Sequence, residues 1–348
     1  MPGTIRSLGV TIGQLPTGPL NCLGDVPGVT VGHATLDTPA HKTGVTIVLP
    51  AQGNLFARKL VGAGHVFNGF GKTLGLMQLA ELGTIETPIA LTNTLNVGLV
   101  HDALVQYMLD TCAADGVPLF SVNPIVCECN DAGLNAIHDR AITRAHVFSA
   151  IADARADFAQ GCVGAGAGTI CHGLKGGIGS ASRVMEIGGR AYTLGALVQS
   201  NHGLLPDLLV GGKPWGQALS AAPASPETDK GSCILIIGTD LPLSDRQLLR
   251  VIRRAQVGLA RLGSFIGHGS GEVAIGFTTA GRIRHQEEDA VVQQSILNEN
   301  LLDTAFRACA ESCEEAILNS LAAAVTTTGN GKTVRALRDM LAMREGEV

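Results

Sequence analysis

The chain has 348 residues, 45% of them hydrophobic and 16% charged, a balance that suits a globular protein with a large buried core and excludes disordered or fibrous classes. Its formal net charge of −5 is small for this length and no Lys/Arg cluster occurs, so no nucleic-acid partner is expected. No run approaches the roughly 18 apolar residues of a spanning helix, and the N-terminal segment lacks the apolar core of a signal peptide, so no membrane partner is expected and the cytoplasm is the expected location.

In chain order, the first strand is predicted over Gly44 to Leu49, a helix over Thr73 to Leu82, a strand over Pro88 to Leu91, and helices over Val100 to Ala113 and Thr143 to Ala154. A glycine-rich stretch, Gly164 to Gly179, follows. Its Gly168 and Gly173 have phosphate-loop spacing, but Lys175 arrives one residue late and Gly176 stands where Ser or Thr belongs, so tight turns are the better reading. Strands over Arg183 to Ile187 and Ala191 to Val198 flank Gly188-Gly189, a hairpin signature because both positions tolerate positive φ. The segment Ala218 to Lys230, low in apolar bulk and broken by two prolines, is the one linker candidate, and Ser232 to Ile237 then reads as a buried strand. A helix over Ser244 to Leu262 carries a capping box in Ser244 and Gln247. It has one apolar face (Leu248, Ile252, Ala255, Leu259, Leu262) and a terminating Gly263. A strand over Glu272 to Thr278 and a helix over Leu297 to Val325 complete the alternation.

Nine cysteines form an odd set in a chain large enough to fold without disulfides, so reduced thiols are expected. Cys127 and Cys129 have the wrong spacing for a zinc knuckle, and Cys309 and Cys313 fall in a helical pattern, where cysteine packs as a small hydrophobe. Neither a metal nor a cofactor is expected.

The dipeptide Gly231-Ser232, set between the loose linker and a rigid strand, is the expected point of self-cleavage. A cut before Ser232 would leave a hydroxyl nucleophile and a free α-amine in one residue, a combination that needs no distant base. Residues 1–231 and 232–348 are then expected to share one globular domain. Farther on, Gly267-His-Gly-Ser270-Gly-Glu272 enters the next strand. Residues two apart in extended chain face one side, so Ser270 and Glu272 present a hydroxyl and a carboxylate together. Ser-Gly-Glu at a strand start is also common turn chemistry; its company with a processing-like Gly-Ser favours the catalytic reading.

Five motifs in one order carry a family resemblance: Asp25-Val-Pro-Gly-Val-Thr-Val-Gly-His33, Thr92-Asn-Thr-Leu95, Cys171-His-Gly-Leu-Lys-Gly-Gly-Ile-Gly179, Lys230-Gly-Ser232-Cys, and the Ser270 loop. Together they resemble the self-processing L-aminopeptidase/D-amidase/D-esterase and β-peptidyl aminopeptidase group, over nearly the whole chain. The resemblance implies an α+β fold, a four-layer αββα sandwich like that of N-terminal-nucleophile hydrolases with different strand connectivity. It also implies autocleavage between Gly231 and Ser232, a homo-oligomer, and action on short peptides or amino-acid amides and esters. By residue, Ser232 matches the nucleophile, Ser270 and Glu272 the pair that assists it, Asn201 the amide that holds the oxyanion, and Glu128 the acid that receives the substrate ammonium. The chain departs from the family pattern around Cys129 and Gly133, which leaves pocket shape and substrate size open. Asn201-His202-Gly203 is turn chemistry as well. The base stays open between the Ser232 α-amine and the Ser270/Glu272 pair. The rival readings are a self-processing acyltransferase of the ornithine acetyltransferase kind and a glycine-rich scaffold.

Overall fold

The computed structural model describes residues 3–220 and 229–345, so most of the expected linker, 221–228, lies outside the described residues. The first half runs β1 (Thr30–Asp37), β2 (Lys42–Leu49), β3 (Arg58–Gly69), α1 (Leu76–Leu82), β4 (Thr84–Ile85), β5 (Ile89–Asn93), α2 (Val97–Ala114), β6 (Ile125–Cys129) and α3 (Arg144–Ala152). There follow β7 (Ile170–Cys171), β8 (Leu174–Lys175), β9 (Gly177–Ile187), β10 (Arg190–Asn201), α4 (Trp215–Leu219) and β11 (Ser232–Thr239). The chain closes with α5 (Asp245–Ile252), α6 (Ala255–Arg261), β12 (Gly271–Arg284), α7 (Leu302–Ala323), β13 (Thr327–Gly329), β14 (Lys332–Val334) and α8 (Leu337–Glu345).

Two sheets carry the fold, one of four strands in the order β1-β2-β5-β6 and one of six in the order β4-β3-β12-β11-β10-β9. The two-residue side-chain period of β11 shows how they stack. Ile234 and Ile236 enter a core shared with Val48, Leu91, Ile125 and Cys127 of the smaller sheet, whereas Cys233, Leu235 and Ile237 pack with Leu248 of α5, Leu259 of α6 and Ile317 of α7. A third core sets Val45, Ile47, Ala90 and Val126 against Val100 and Leu104 of α2 and Val147 of α3. The layers are therefore helix, sheet, sheet, helix. Each fully buried Leu or Ile of β11 contributes about 1.5–3 kcal/mol, which anchors the strand that Ser232 begins.

Most predicted elements are present, and the Ser244/Gln247 box is made in both directions at 3.2 Å. Two of the differences have local causes. The single helix expected over Ser244 to Leu262 is two, because the backbone tightens to an i→i−3 bond from the Arg254 amide to the Val251 carbonyl (2.9 Å); the apolar face continues unbroken across the joint. The Leu297 to Val325 helix begins only at Leu302 and the Thr73 to Leu82 helix only at Leu76. Strands β1, β3 and β6 were not anticipated. In β3 the glycines that weaken the strand pattern are needed for close packing, since a Cβ at Gly62 would lie 2.6 Å from Ile85 Cγ1 of β4 and one at Gly64 3.1 Å from Leu79 Cδ2 of α1. Among the described residues no helix is long and apolar enough to cross a membrane.

Helix α7 lies on β9 so closely that a Cβ at Gly179 would fall 2.0 Å from the Ala316 carbonyl oxygen. Gly179→Ala is therefore expected to lower stability by about 1–3 kcal/mol or more, read as a reduced denaturant midpoint; an unchanged midpoint would contradict this close packing.

Candidate active site

Strand β11 sits in the middle of the larger sheet, parallel to β12 and antiparallel to β10, so β11 and β12 start at the edge where β10 ends. That arrangement pairs Ser232 with Gly271 on one side and with Asn201 on the other. Directly opposed antiparallel residues project to the same face, and Ser232 shares the face of Ile234 and Ile236, towards the smaller sheet. Ser232 is buried at 6% exposure. Cys129, at the end of β6, places its thiol 3.6 Å from the Ser232 carbonyl and 3.5 Å from that of Gln199, which brings the smaller sheet beneath the serine.

The Gly267 to Ser270 loop delivers the hydroxyl–carboxylate pair. Ser270 Oγ donates to Glu272 Oε2 at 2.8 Å and lies 3.0 Å from the Gly267 carbonyl, although Ser270 precedes the strand instead of lying in it. Asn68 Nδ2, from β3, binds the carbonyls of Gly267 (3.0 Å), His268 (3.3 Å) and Ser270, and so fixes the loop. Burial pushes the Glu272 carboxyl up to about 7. The Asp229 charge adds to that rise and the Ser270 hydrogen bond opposes it. Glu272 Oε1 has no hydrogen-bond partner among the described residues. A carboxylate that titrates near neutrality with one bare oxygen is fitted to accept a proton and return it.

Asn201 Oδ1 accepts the Ile170 amide at 2.9 Å, a contact that orients the side-chain amide and leaves Nδ2 as its donor end. Fixed neutral donors of this kind stabilise a developing oxyanion. Glu128, buried on β6, accepts the Lys72 amide on Oε1 at 3.0 Å and the Thr94 hydroxyl on Oε2. A Cβ at Gly71 would lie 3.7 Å from Glu128 Oε1 and 4.0 Å from Gly271 Cα, so Gly71 separates the acid from the Ser232 strand pair by one uncrowded residue. Ser232, Asn201, Ser270 and Glu272 thus lie at one end of the larger sheet, with Glu128 of the smaller sheet across Gly71 from Gly271. Cys129 packs in the core between the sheets with its thiol on the Ser232 carbonyl, so the departure from the family pattern there lies directly beneath the serine.

Other titratable groups nearby serve differently. His202 is pushed down to about 3 by burial and by His172, and burial lowers His172 as well, so both rings are neutral and neither is a suitable base. Cys171, His172 and His202 are the one group among the described residues with three metal-type ligand atoms, all within 4.8 Å of one another. The separation from Cys171 Sγ to His202 Nδ1 is 4.0 Å, longer than the roughly 3.5 Å edge of a tetrahedron with zinc-type bonds. Lys175, the would-be phosphate lysine, is buried with Nζ on the carbonyls of Gly166 (3.0 Å), Thr169 (3.0 Å) and Gly176 (2.8 Å), where it braces the glycine-rich turns. Sequence reading missed Asn68, Thr94 and Asp229. Thr94 stood inside a motif already singled out, whereas Asn68 and Asp229 have no local signature.

Residues 21–334 match Peptidase family S58. The chain belongs to that family. The beta-peptidyl aminopeptidase BapA of Sphingosinicella xenopeptidilytica is 37% identical over 365 aligned positions, 97% of this chain and 89% of that one. The structure of a Burkholderia sp. beta-aminopeptidase is 38% identical, with a TM-score of 0.90 and 98% of each chain covered. The l-aminopeptidase d-Ala-esterase/amidase of Ochrobactrum anthropi, described as a new variant of the Ntn hydrolase fold, is 34% identical, with a TM-score of 0.89 over 99% of each chain. The αββα layers are that variant, and the chain is a self-processing serine aminopeptidase by class. The acyltransferase and scaffold alternatives are disfavoured.

With Glu272 as proton acceptor, kcat/KM should rise as pH increases through about 7, the value to which burial lifts this carboxyl. Ser270→Ala removes the hydrogen bond that opposes the lift, so the ascending limb should move to higher pH. A limb unmoved by this change would assign the titration to another group.

Proposed function

We propose that Ser232 is both the residue before which the chain cuts itself and the nucleophile of the resulting aminopeptidase. The observation that carries this reading is the pairing of Ser232 with Asn201 and Gly271, which sets its hydroxyl on the same face as an amide donor and its backbone against the residue between Ser270 and Glu272.

In the precursor, Ser232 Oγ attacks the Gly231 carbonyl carbon and its proton passes towards Glu272. The Gly231–Ser232 C–N bond breaks as the amine takes up a proton, leaving an ester that water hydrolyses to a Gly231 carboxylate and a free Ser232 N-terminus. In the mature enzyme the same oxygen attacks the carbonyl of the substrate's first residue. The amine leaves protonated, and water releases the amino acid from the acyl-enzyme. Asn201 Nδ2 steadies the tetrahedral oxyanion in this second act. Glu128 accepts the substrate ammonium, and its two existing bonds hold the carboxylate in place for a charge that internal peptide bonds lack. The substrates are short peptides and amino-acid amides and esters; those with β-residues or D-residues follow from what the relatives are called.

Both pieces of the cut chain contribute to the first and second cores, with Leu174, Ala196 and Leu197 on one side of the cut and Leu235, Ile275 and Ile317 on the other, which would keep them joined. A homo-oligomer belongs to the same proposal, supported by exposed Phe70 (58%), Met77 (89%) and Leu82 (58%) on one stretch of chain. Nine free thiols suit the cytoplasm.

A denaturing gel should show pieces of 231 and 117 residues, the smaller beginning Ser-Cys-Ile, and Ser232→Ala should stay whole. A fully active, uncut wild-type chain would overturn the reading. Glu128→Gln should lower kcat/KM for free-amine amides by on the order of 10²-fold, and wild type should barely hydrolyse their N-acetylated forms. Equal rates on blocked and unblocked substrates would remove the aminopeptidase specificity assigned to Glu128.

A further inference from the structure

The residue that supplies the carbonyl to be attacked is held at three points. Its amide donates to Asp229 Oδ1 at 3.1 Å, and its carbonyl accepts the Gly271 amide at 3.1 Å. Its Cα is pressed against the end of β10, where a Cβ at position 231 would lie 2.1 Å from the Asn201 carbonyl oxygen and 2.5 Å from His202 Cα. Asp229 makes this grip possible. The same Oδ1 also accepts the Gly203 amide at 3.2 Å, so one carboxylate oxygen ties the residues before Ser232 to the turn that follows Asn201. On its other side Asp229 packs against the serine loop, since a Cβ at Gly267 would lie 2.8 Å from Asp229 Cβ and 2.5 Å from its carbonyl oxygen. Asp229 is 3% exposed, and its Oδ2 has no partner among the described residues. Among the described residues no cation pairs with it, which a purely structural buried carboxylate normally requires.

We infer that Asp229 is the positioning residue of self-cleavage: it holds Gly231 so that the scissile carbonyl rests on the Gly271 amide beside Ser232 Oγ. The inference rests on the cut lying between Gly231 and Ser232. A backbone N–H already bonded to the carbonyl oxygen stays with that oxygen as it becomes an oxyanion, so the Gly271 amide acts in the first act as a preorganised donor. Asp229 touches neither the attacking oxygen nor the attacked carbon. It acts through the Gly231 amide, two bonds from the scissile carbonyl carbon, and through Gly203, which follows Asn201 and His202. Once the C–N bond is broken, that task is complete, and substrate turnover places no peptide between Asp229 and Ser232.

The test is a time course of cleavage in the full-length chain after refolding, with the melting temperature and the activity per cut molecule measured in parallel. Asp229→Ala should slow the appearance of the 117-residue piece by on the order of 10²-fold, the cost of misplacing a reacting group by about 1 Å. Asp229→Asn keeps an acceptor oxygen and should cleave within about threefold of wild type. It also removes the negative charge that helps raise the Glu272 pKa, so the pH limb of its cleavage should move to lower pH. Activity per cut molecule should fall far less than the cleavage rate in either variant. Wild-type cleavage rates in Asp229→Ala, or slow cleavage that only follows a collapse in melting temperature, would overturn the inference, as would an asparagine variant as slow as alanine with an unmoved limb. A wild-type chain that yields no Ser232 N-terminus would instead remove the cut-site reading on which the inference stands.

Discussion

The register of β11 between β10 and β12 is the constraint from which the site takes its geometry. Hydrogen bonding along both sides of β11 leaves no freedom to slide, because a one-residue slip would turn Ile234 and Ile236 away from the inter-sheet core and expose Leu235 and Ile237 to the wrong layer. Two hydrophobic cores thus enforce where Ser232 stands. With Ser232 placed, Asn201 and Gly271 are its neighbours by pairing alone, and Ser270 and Glu272 follow as the residues on either side of Gly271. Strand direction matters equally. Only because β11 and β12 are parallel do their first residues meet at one edge, with β10 running back to end there.

The chemistry depends on how dry this edge is. Ser270 and Glu272 are both fully buried, and burial is the leading cause of the high Glu272 pKa. The same burial that prepares Glu272 disables the histidines, since removing an imidazolium from water disfavours its charge while removing a carboxylate favours its proton. One environment therefore makes an acid useful near neutrality and leaves His172 and His202 neutral. In the proposed mechanism Ser232 needs no histidine partner, because the Ser270/Glu272 pair stands at the start of the adjoining strand.

Backbone crowding explains the glycine content better than any ligand does. Gly231, Gly271 and Gly267 each stand where a Cβ would meet backbone within 3 Å, respectively Asn201, Phe70 and Asp229. Each lets two segments of the site approach at hydrogen-bond distance, and the Gly271 amide to Gly231 carbonyl bond is one result. The glycine-rich stretch 164–179 works in the same way around Lys175, whose ammonium gathers three carbonyls into the turn that supports Ile170 and, through it, Asn201.

Local pattern alone determined the central elements of this protein. The apolar run after Ser232, the capped start at Ser244, the Gly188-Gly189 hairpin and the hydroxyl–carboxylate pair at Ser270 and Glu272 are all encoded within a few residues, where side-chain period and turn propensity act directly. Family motifs extended that reading to Asn201 and Glu128, which have no distinguishing local physics. Tertiary structure decided what depends on distant partners. Strands β1, β3 and β6 carry glycine or mixed polarity that only makes sense against a helix or a second sheet. The break at Arg254 arises in a helix whose apolar face is continuous, and no period reveals it. Asp229 lies in a stretch that reads as linker, and Asn68 in one that reads as nothing in particular. Their bonds reach Gly203 and Gly267, 26 and 199 residues away. Hydrogen bonds between segments so far apart leave no periodic trace in a chain, so these residues became visible only once the sheets had brought their partners together.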